Sequence, residues 1–171
     1  MICPSCCHKN LPGDEVCKHC KQPLTPFDLP HPENQLERSV MYDQVKTLKQ
    51  NPPVTIAQTA TIGDAMALMF ATNVGAILVV DSAGLLMGIF SERDLLKKIA
   101  GALTDYEKLP ITHFMTARPV TVSTNDTLNF VLQKMDAGGY RHVPVLENGK
   151  PVSIISARDM LRFLTRMCKD T

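Results

Sequence analysis

Residues 88–96 read Gly88-Ile89-Phe90-Ser91-Glu92-Arg93-Asp94-Leu95-Leu96, and residues 153–161 read Ser153-Ile154-Ile155-Ser156-Ala157-Arg158-Asp159-Met160-Leu161. Both stretches run from apolar residues through Ser-x-Arg-Asp to an apolar pair, and they lie 65 positions apart. Upstream, Pro53-Val54-Thr55-Ile56 recurs as Pro119-Val120-Thr121-Val122, 66 positions later. A spacing that persists over this length predicts two copies of one structural unit.

Each copy predicts the element order β-α-β-β-α, because its apolar residues alternate between strand and helix periods. In the first copy we expect strand Val54–Ile56, a helix starting at a Thr61/Asp64 capping box, strands Ala76–Val80 and Leu85–Phe90, and a helix from Ser91 to near Gly101. The apolar face of the first helix should comprise Ile62, Ala65, Met66, Met69 and Phe70. In the second copy we expect strand Val120–Val122, helix Thr127–Ala137, strands His142–Leu146 and Val152–Ile155, and helix Ala157–Met167.

This repeat resembles the CBS domain, which is named for cystathionine β-synthase, and two copies resemble the CBS pair of many regulatory proteins. The resemblance covers about Val45 to Cys168. It rests on the closing Gly88–Asp94, the lead-in Ile111-Thr112-His113-Phe114-Met115-Thr116 and the strand Arg141-His142-Val143-Pro144-Val145. It implies an α/β fold in which two β-α-β-β-α repeats pack as a pseudo-two-fold pair. The sequence before the repeats is expected to add a small zinc-ribbon-like segment at the amino terminus, on separate evidence from its cysteines. One departure is Ser153, where the first copy has Gly88.

Four cysteines at the amino terminus form two C-x-x-C motifs, Cys3-Pro-Ser-Cys6 and Cys17-Lys-His-Cys20. Each motif lets two thiolates approach one ion, and the two together offer the four ligands of a structural Zn²⁺ site. Two disulfides or a redox-active dithiol are the alternatives. The neighbouring donors Cys7, His8 and His19 are expected to be non-ligands. Because four cysteines would fill the coordination sphere, the metal is interpreted as structural.

The role of this zinc knuckle beyond metal binding stays open in the sequence. Residues 1–24 mix Lys9, Lys18 and Lys21 with Asp14 and Glu15 and contain no aromatic side chain for base stacking. Nucleic-acid binding is therefore disfavoured relative to a protein partner. An equally good reading is that the knuckle only stabilises the chain, since metal binding often serves folding alone.

Proline-rich sequence separates the knuckle from the repeats. Pro23, Pro26, Pro30 and Pro32 predict a linker, and the spacing of Leu36, Val40, Val45 and Leu48 predicts an amphipathic helix that leads into the main domain. We therefore expect a zinc knuckle at 1–24, a linker with lead-in helix at 25–50, the first CBS domain at 51–103, and a linker with the second CBS domain at 104–171.

Ser91-x-x-Asp94 and Ser156-x-x-Asp159 each begin a helix directly after an apolar strand. Alone, the motif is most simply a capping box, which satisfies N–H groups at a helix start. The same groups suit a nucleotide, because helix amino termini favour phosphate and a carboxylate accepts hydrogen bonds from ribose hydroxyls. In the CBS family these positions contact the ribose and phosphate of adenosine ligands, so the resemblance favours binding.

The resemblance implies a ligand site in each copy. In the first copy the implied residues are Thr55, Ile56, Ala76, Ser91, Arg93 and Asp94; in the second they are Thr121, Val122, Arg141, His142, Ser156, Arg158 and Asp159. The strand residues would line an adenine pocket, and the arginines would reach phosphates. For His142 a structural hydrogen bond is the alternative. The implied ligand contains adenosine: AMP, ADP, ATP, S-adenosylmethionine or a dinucleotide.

Composition excludes several other functions. The 18 Lys and Arg residues balance 17 Asp and Glu, so no positive field draws the whole molecule to nucleic acid or anionic membrane. Apolar stretches such as Val74–Val80 are too short to span a bilayer, and the chain opens with cysteines instead of a signal sequence, so a cytoplasmic protein is expected. We find no Walker loop and no nucleophile with an adjoining base, which indicates a regulatory protein and not an enzyme. The resemblance implies a homodimer. The competing hypothesis is an interaction scaffold in which the zinc ribbon binds protein or nucleic acid and the CBS pair dimerises.

Overall fold

The computed structural model describes residues 2–3, 5–11, 14–24, 32, 34–49, 51–99 and 105–169. Its α-helices are α1 (Gln35–Tyr42), α2 (Ile62–Thr72), α3 (Glu92–Lys98), α4 (Leu128–Gly138) and α5 (Ala157–Lys169). Its strands are β1 (Thr55–Ala57), β2 (Ala76–Val80), β3 (Leu86–Ser91), β4 (Thr116–Ala117), β5 (His142–Glu147) and β6 (Lys150–Ser156). Predictions that involve Pro26, Pro30 and Gly101 lie outside these residues. Among the described helices, none combines the length and the apolar character needed to cross a bilayer.

Two compact units divide the chain, and they interleave along the sequence. One unit comprises Met1–Gln50, Val122–Val143 and Ile155–Thr171. The other comprises Asn51–Thr121 and Pro144–Ile154. The amino-terminal cysteines therefore belong to the same unit as α4 and α5.

The sheet of the first copy has the order β1-β2-β3-β4. Strands β1 and β2 are parallel, while β2 with β3 and β3 with β4 are antiparallel. Gly88 on β3 allows β4 to approach, because a Cβ atom there would collide with Met115 Sδ and would lie 3.0 Å from the Thr116 carbonyl oxygen. The positions of Met115 and Thr116, just before and at the start of β4, therefore depend on the glycine in the neighbouring strand.

Helix α2 packs on this sheet much as its sequence predicts. The capping box is present: Asp64 N donates to Thr61 Oγ1 at 3.2 Å, and Thr61 N donates to Asp64 Oδ2 at 2.9 Å. The buried cluster comprises Ile62, Ala65, Met69, Ile77, Val79, Phe90, Ile99 and Ile111. Phe70 was expected on the buried face but is 90% exposed. It lies about 80° around the helix from Ile62, at the flank of the apolar face.

The second copy has the predicted helices, and β5 and β6 form a hairpin. Asn148 and Gly149 turn it with φ angles of 52° and 78°, which suit a tight hairpin turn. The expected strand Val120–Val122 is wrong, since only Val122 makes a bridge. Pro119 offers no N–H, and the chain turns directly afterwards, where Ser123 N donates to Asp126 Oδ2 at 2.7 Å.

Lead-in segments of both copies make matching backbone bonds. Val45 N donates to Asp126 O at 2.8 Å, and Leu128 N donates to Asp43 O at 2.9 Å. At the corresponding positions, 66 residues away, Ile111 N donates to Ala60 O at 3.0 Å, and Ile62 N donates to Leu109 O at 2.9 Å. The repeat therefore extends upstream of the residues that first reveal it. The lead-in 43–48 pairs with the start of α4, while 109–111 pairs with the start of α2.

The predicted lead-in helix is shorter than its apolar spacing indicates. Helix α1 ends at Tyr42, and a separate 3-10 turn covers Val45–Thr47. Asp43 interrupts the helix because its backbone turns to an extended conformation, where its carbonyl accepts from Leu128 N. Val45 and Leu48 are buried in this separate turn and not on the helix.

Candidate functional site

The two cysteine motifs fold into matching turns. Cys3 N donates to His8 O at 2.9 Å and Cys17 N to Gln22 O at 2.7 Å; Cys7 N and Lys21 N donate back to Cys3 O and Cys17 O, both at 2.9 Å. Cys7 and Lys21 both have positive φ, 56° and 62°. Cys7 and Lys21 therefore occupy the same turn position, directly after the second cysteine of each motif. This position explains why Cys7 lies outside the four-sulfur cluster.

The four predicted ligands are brought together by these turns. The Sγ atoms of Cys3, Cys6, Cys17 and Cys20 all lie within 4.8 Å of one another. Cys3 Sγ lies 3.6 Å from Cys20 Sγ, and Cys6 Sγ lies 3.6 Å from Cys17 Sγ. Four sulfurs at about 2.3 Å from a tetrahedral Zn²⁺ are roughly 3.8 Å apart, so the spacing fits a metal and is far too long for a disulfide.

The polar groups around the sulfurs also suit a cation. Burial works against ionisation of Cys17, but N–H groups of Cys20, His19 and the Asn10 amide outweigh it and lower the pKa of this thiol to about 6. Burial raises the pKa of the Cys6 thiol instead. A bound metal ion favours the thiolate form of every sulfur that it contacts. The His8 and His19 rings stack at 5.5 Å outside the cluster.

Asn10 connects the two turns and was missed in the sequence. Its Nδ2 donates to His8 O at 3.0 Å and contacts Cys17 Sγ at 3.5 Å, while its Oδ1 accepts from Lys18 N at 3.0 Å. The side chain is buried. An asparagine midway between two C-x-x-C motifs carries no distinctive spacing, so only the three-dimensional contacts identify it as a positioning residue.

The Ser-x-x-Asp motif of the first copy is a fully engaged capping box. Asp94 Oδ2 accepts from Ser91 N at 3.1 Å and Ser91 Oγ at 2.6 Å. Asp94 Oδ1 accepts from Thr116 Oγ1 at 3.1 Å and pairs with Lys98 Nζ at 2.7 Å. Burial raises the pKa of Asp94, but the Lys98 ammonium and the Ser91 donors outweigh this and leave the pKa below its ordinary value. Both carboxylate oxygens are therefore occupied by the protein itself.

The motif of the second copy leaves one carboxylate oxygen more accessible. Asp159 Oδ2 accepts from Ser156 N at 2.9 Å and Ser156 Oγ at 2.5 Å, as in the first copy. Asp159 Oδ1 has a 3.6 Å ion pair with the exposed Arg162. Exposed pairs at such distances contribute little free energy. A ligand hydroxyl can therefore approach Oδ1 of Asp159 at less cost than Oδ1 of Asp94.

A backbone bond attaches the predicted arginine to this second corner. Ala157 N donates to Arg141 O at 2.9 Å, just as Glu92 N donates to Gly75 O at 3.0 Å in the first copy. The two corners share this backbone hydrogen bond but differ in the side chains beside it. Glu92 carries a carboxylate that lies 3.3 Å from the Cβ position of Gly75, whereas the second copy has Arg141 opposite Ala157.

A sequence profile of the CBS domain matches residues 45–101 and 111–166. The chain belongs to the CBS-domain family. It is 35% identical over 124 residues to the CBS domain-containing protein CBSCBSPB5 of Arabidopsis thaliana, an alignment that covers 72% of this chain and 23% of that protein. The chain thus spans about a quarter of this relative's length.

Two solved CBS structures have bound ligands and are similar to this chain. One is the CBS domain pair of protein MJ0100 in complex with 5′-methylthioadenosine and S-adenosyl-L-methionine; it is 26% identical, with a TM-score of 0.65, and the match covers 72% of this chain and 97% of that chain. The other is the CBS domain protein PAE2072 from Pyrobaculum aerophilum complexed with AMP; it is also 26% identical, with a TM-score of 0.65, and the match covers 75% and 99%.

Predicted ligand residues of the first CBS repeat lie on neighbouring strands. Ala76 on β2 is the register partner of Ser91 on β3, and Thr55 on β1 is the partner of Leu78. Thr55 is exposed, Ile56 is half-buried and Ala76 is buried. The strand order thus brings Ala76 beside the Ser91–Asp94 corner, with Arg93 exposed on the first turn of α3.

In the second CBS repeat, Arg141, His142, Ser156, Arg158 and Asp159 lie around the start of α5. Arg141 and Arg158 are exposed and His142 is half-buried. Val122 is buried, and Thr121 is half-buried. The strand in which these two were expected is absent from the described residues, so for them the sequence-based grouping stays a prediction.

Ser153, which stands where the first repeat has Gly88, makes a hydrogen bond to the backbone. It is buried, and its Oγ donates to Asn51 O at 3.1 Å. Gly88, its counterpart, pairs with Ala117, which is the counterpart of Asn51. The departure from the first copy therefore replaces a close backbone approach by a side-chain hydrogen bond to the backbone of Asn51.

Proposed function

We propose that this chain is a ligand-sensing regulatory protein that binds an adenosine-containing nucleotide, with the phosphate end of the ligand at the second CBS repeat. The observation that carries the proposal is the corner formed by Arg141, Ser156, Arg158 and Asp159. The working boundaries are 51–103 for the first CBS domain and 104–171 for the second with its linker.

Charge distinguishes the two corners. At the second, Arg141, Arg158 and Arg162 outnumber the single carboxylate of Asp159. Arg158, Arg162 and Arg166 also line an open groove of about 450 Å³ along α5. Guanidinium groups bind phosphate through paired, charge-assisted hydrogen bonds. The start of α5 adds a helix dipole that favours an anion.

The first corner has a smaller excess of positive charge. Arg93, Lys97 and Lys98 face the two carboxylates of Glu92 and Asp94, and Lys98 is already paired with Asp94. A phosphate placed there would meet the Glu92 carboxylate, which is unfavourable. A ligand at the first repeat is therefore expected to be the uncharged or cationic kind, such as a nucleoside or a sulfonium nucleoside.

Similar proteins support this ligand class. One similar CBS pair is complexed with 5′-methylthioadenosine and S-adenosyl-L-methionine, and another CBS protein with AMP. Adenine would contact the strand residues Thr55, Ile56 and Ala76 or their counterparts Thr121, Val122 and His142. The cysteine cluster would hold structural Zn²⁺ through Cys3, Cys6, Cys17 and Cys20. A ligand that prefers one conformation of the protein shifts the population toward it, which is the signal that a partner would read.

Calorimetric titration with AMP, ADP, ATP, adenosine and S-adenosylmethionine tests the proposal. Arg141→Gly installs the residue of the first repeat and should weaken AMP at least about tenfold while leaving adenosine nearly unchanged. Asp159→Asn should weaken both ligands. Asp94→Asn is the matched control and should leave AMP affinity within about twofold. If AMP binds equally well to the wild type and to Arg141→Gly, the phosphate does not lie at the second corner.

A second candidate function is that of a dimerising scaffold. The last helices of both repeats expose a leucine at the same position, Leu96 at 68% and Leu161 at 63%, each next to a cation. Exposed leucines that recur in both copies favour a protein contact. Light scattering should then show a homodimer that Leu161→Asp dissociates, whereas Leu85→Asp, at another exposed leucine, should not change the mass.

A further inference from the structure

The zinc knuckle contacts the second CBS repeat through a buried hydrogen bond. Thr127 Oγ1 donates to the Ser5 carbonyl oxygen at 2.7 Å, across 122 residues of sequence. Thr127 and Ser5 are 1% and 2% exposed. Ser5 lies between Cys3 and Cys6, and Thr127 is the N-cap of α4. The first cysteine turn therefore lies directly on the start of a helix of the second repeat.

The hydroxyl group of this threonine has a different acceptor in each repeat. In the first repeat, Thr61 Oγ1 donates to Asp64 Oδ2 at 2.8 Å within its own capping box. In the second repeat the third helical residue is Phe130, whose side chain accepts no hydrogen bond. Thr127 Oγ1 still accepts from Phe130 N at 3.2 Å, and its proton goes to Ser5.

A second contact fixes the same turn from the lead-in side. Gln44 Nε2 lies 3.9 Å from Cys7 Sγ, and Gln44 forms a backbone bridge with Thr127. Ser5, Cys7, Gln44 and Thr127 all belong to one compact unit. The knuckle is thus attached at two points to the segment that starts α4.

Helix α4 connects this contact to the proposed phosphate corner. It runs from Leu128 to Gly138, a length of about 16 Å, and its C-cap Gly139 lies two residues before Arg141. Gly139 N donates to Asp136 O at 3.2 Å and Tyr140 N to Met135 O at 2.9 Å, so the helix end is closed by hydrogen bonds. One helix therefore has the knuckle at its start and Arg141 just beyond its end.

We propose that metal binding at the four cysteines and ligand binding at Arg141 are coupled through α4, an inference that rests on the proposed function for its ligand half. Among the described residues of the knuckle, the buried core comprises Cys3, Cys6, Cys17 and Leu24, with Cys20 packed against it. Such a segment needs the metal to fold. Loss of the metal removes the Ser5 acceptor and leaves a buried hydroxyl without its partner, which destabilises the start of α4. Linkage then requires that AMP raises zinc affinity by the same factor by which zinc raises AMP affinity.

Zinc affinity is measured first, by competition with a colorimetric chelator. Thr127→Val should lower zinc affinity about fivefold, the size of one hydrogen bond. Thr61→Val is the matched control, because it removes the same cap from α2 without touching the knuckle, and should leave zinc affinity unchanged. Thr127→Ser should restore wild-type affinity. Equal zinc affinity in Thr127→Val and wild type overturns the coupling.

Hydrogen exchange on the wild-type chain gives a readout that does not depend on a variant folding. Removing zinc should increase exchange in the first turn of α4 at least about tenfold and leave the first turn of α2 unchanged. Equal changes in both helices, or none in α4, overturn the proposal. AMP titration with and without zinc tests the ligand half. If AMP binds neither form, the proposed function fails, while the chelator and exchange results still decide whether knuckle and α4 are coupled.

Discussion

Replacing Asp94 by asparagine should destabilise the protein more than the same change at Asp159, although both residues close the same capping box. An asparagine keeps one oxygen, which can still accept from the Ser91 or Ser156 groups. Its amide then replaces the other oxygen. At Asp94 this amide would face two donors, Thr116 Oγ1 at 3.1 Å and Lys98 Nζ at 2.7 Å. At Asp159 it would face only the exposed Arg162, at 3.6 Å.

The magnitudes follow from the kind of bond that is lost. A hydrogen bond to a charged group contributes about 1.5–3 kcal/mol, and part of the Lys98 contribution is screened because its side chain is 40% exposed. We expect Asp94→Asn to lower the free energy of unfolding by about 2 kcal/mol and Asp159→Asn by less than about 1 kcal/mol. Urea unfolding at neutral pH with zinc held constant measures both. Equal losses, or a larger loss at Asp159, would refute the assignment of Asp94 as structural and Asp159 as ligand-accessible.

Three further predictions concern the same elements. The pKa of the Asp94 carboxyl is lowered in the folded state, so the ionised carboxylate stabilises the fold above its ordinary pKa of about 4. This stabilisation is lost as the pH falls through the lower pKa of the folded state. The stability of Asp94→Asn should therefore fall less steeply with decreasing pH below about pH 4 than the stability of wild type, which acid unfolding measures. Gly88→Ala should cost more than about 2 kcal/mol, because its methyl would meet Met115 and the β4 backbone, whereas Ser153→Ala should cost about 1 kcal/mol; thermal unfolding compares the two. Asn10→Ala should weaken zinc binding about threefold to tenfold, measured by chelator competition, and an unchanged affinity would remove Asn10 from the positioning residues.

Local signals in the sequence predicted most elements. The Thr61/Asp64 box, the strand Ala76–Val80 and the start of α5 at Ala157 need only nearby residues, and the structure confirms them. Four cysteines in two motifs predicted a cluster, because each turn is set by the backbone between its own two ligands. Long-range backbone bonds were not predictable. The bond from Val45 N to Asp126 O depends on no particular side chain, so no residue pattern marks it.

Residues that differ between the two copies distinguish their candidate sites, but the sequence repeat alone does not show which of these differences matter. Gly75 against Arg141, and Glu92 against Ala157, were readable in the sequence, but their significance depends on knowing that these residues meet at one corner. The prediction that Phe70 is buried was wrong because local spacing does not determine burial. An apolar residue at near-helical spacing looks like core, yet its exposure depends on how wide a helix face the neighbouring sheet covers.

Positions that the two repeats share and positions that they do not share have different physical roles. The backbone bonds recur at the constant spacing whether or not the residues are the same in both copies, and they maintain the fold of each copy. Three of the changed positions, occupied in the second copy by Phe130, Arg141 and Ala157, lie at the start of α4, after its end and at the start of α5. Each change alters what the second copy can contact without removing a backbone bond. The second repeat therefore has both the knuckle contact and the arginine corner. A variant that exchanges only Arg141 and Ala157 for their first-repeat counterparts, glycine and glutamate, should fold yet lose the arginine corner, whereas Phe130 is buried and its exchange for aspartate would destabilise α4.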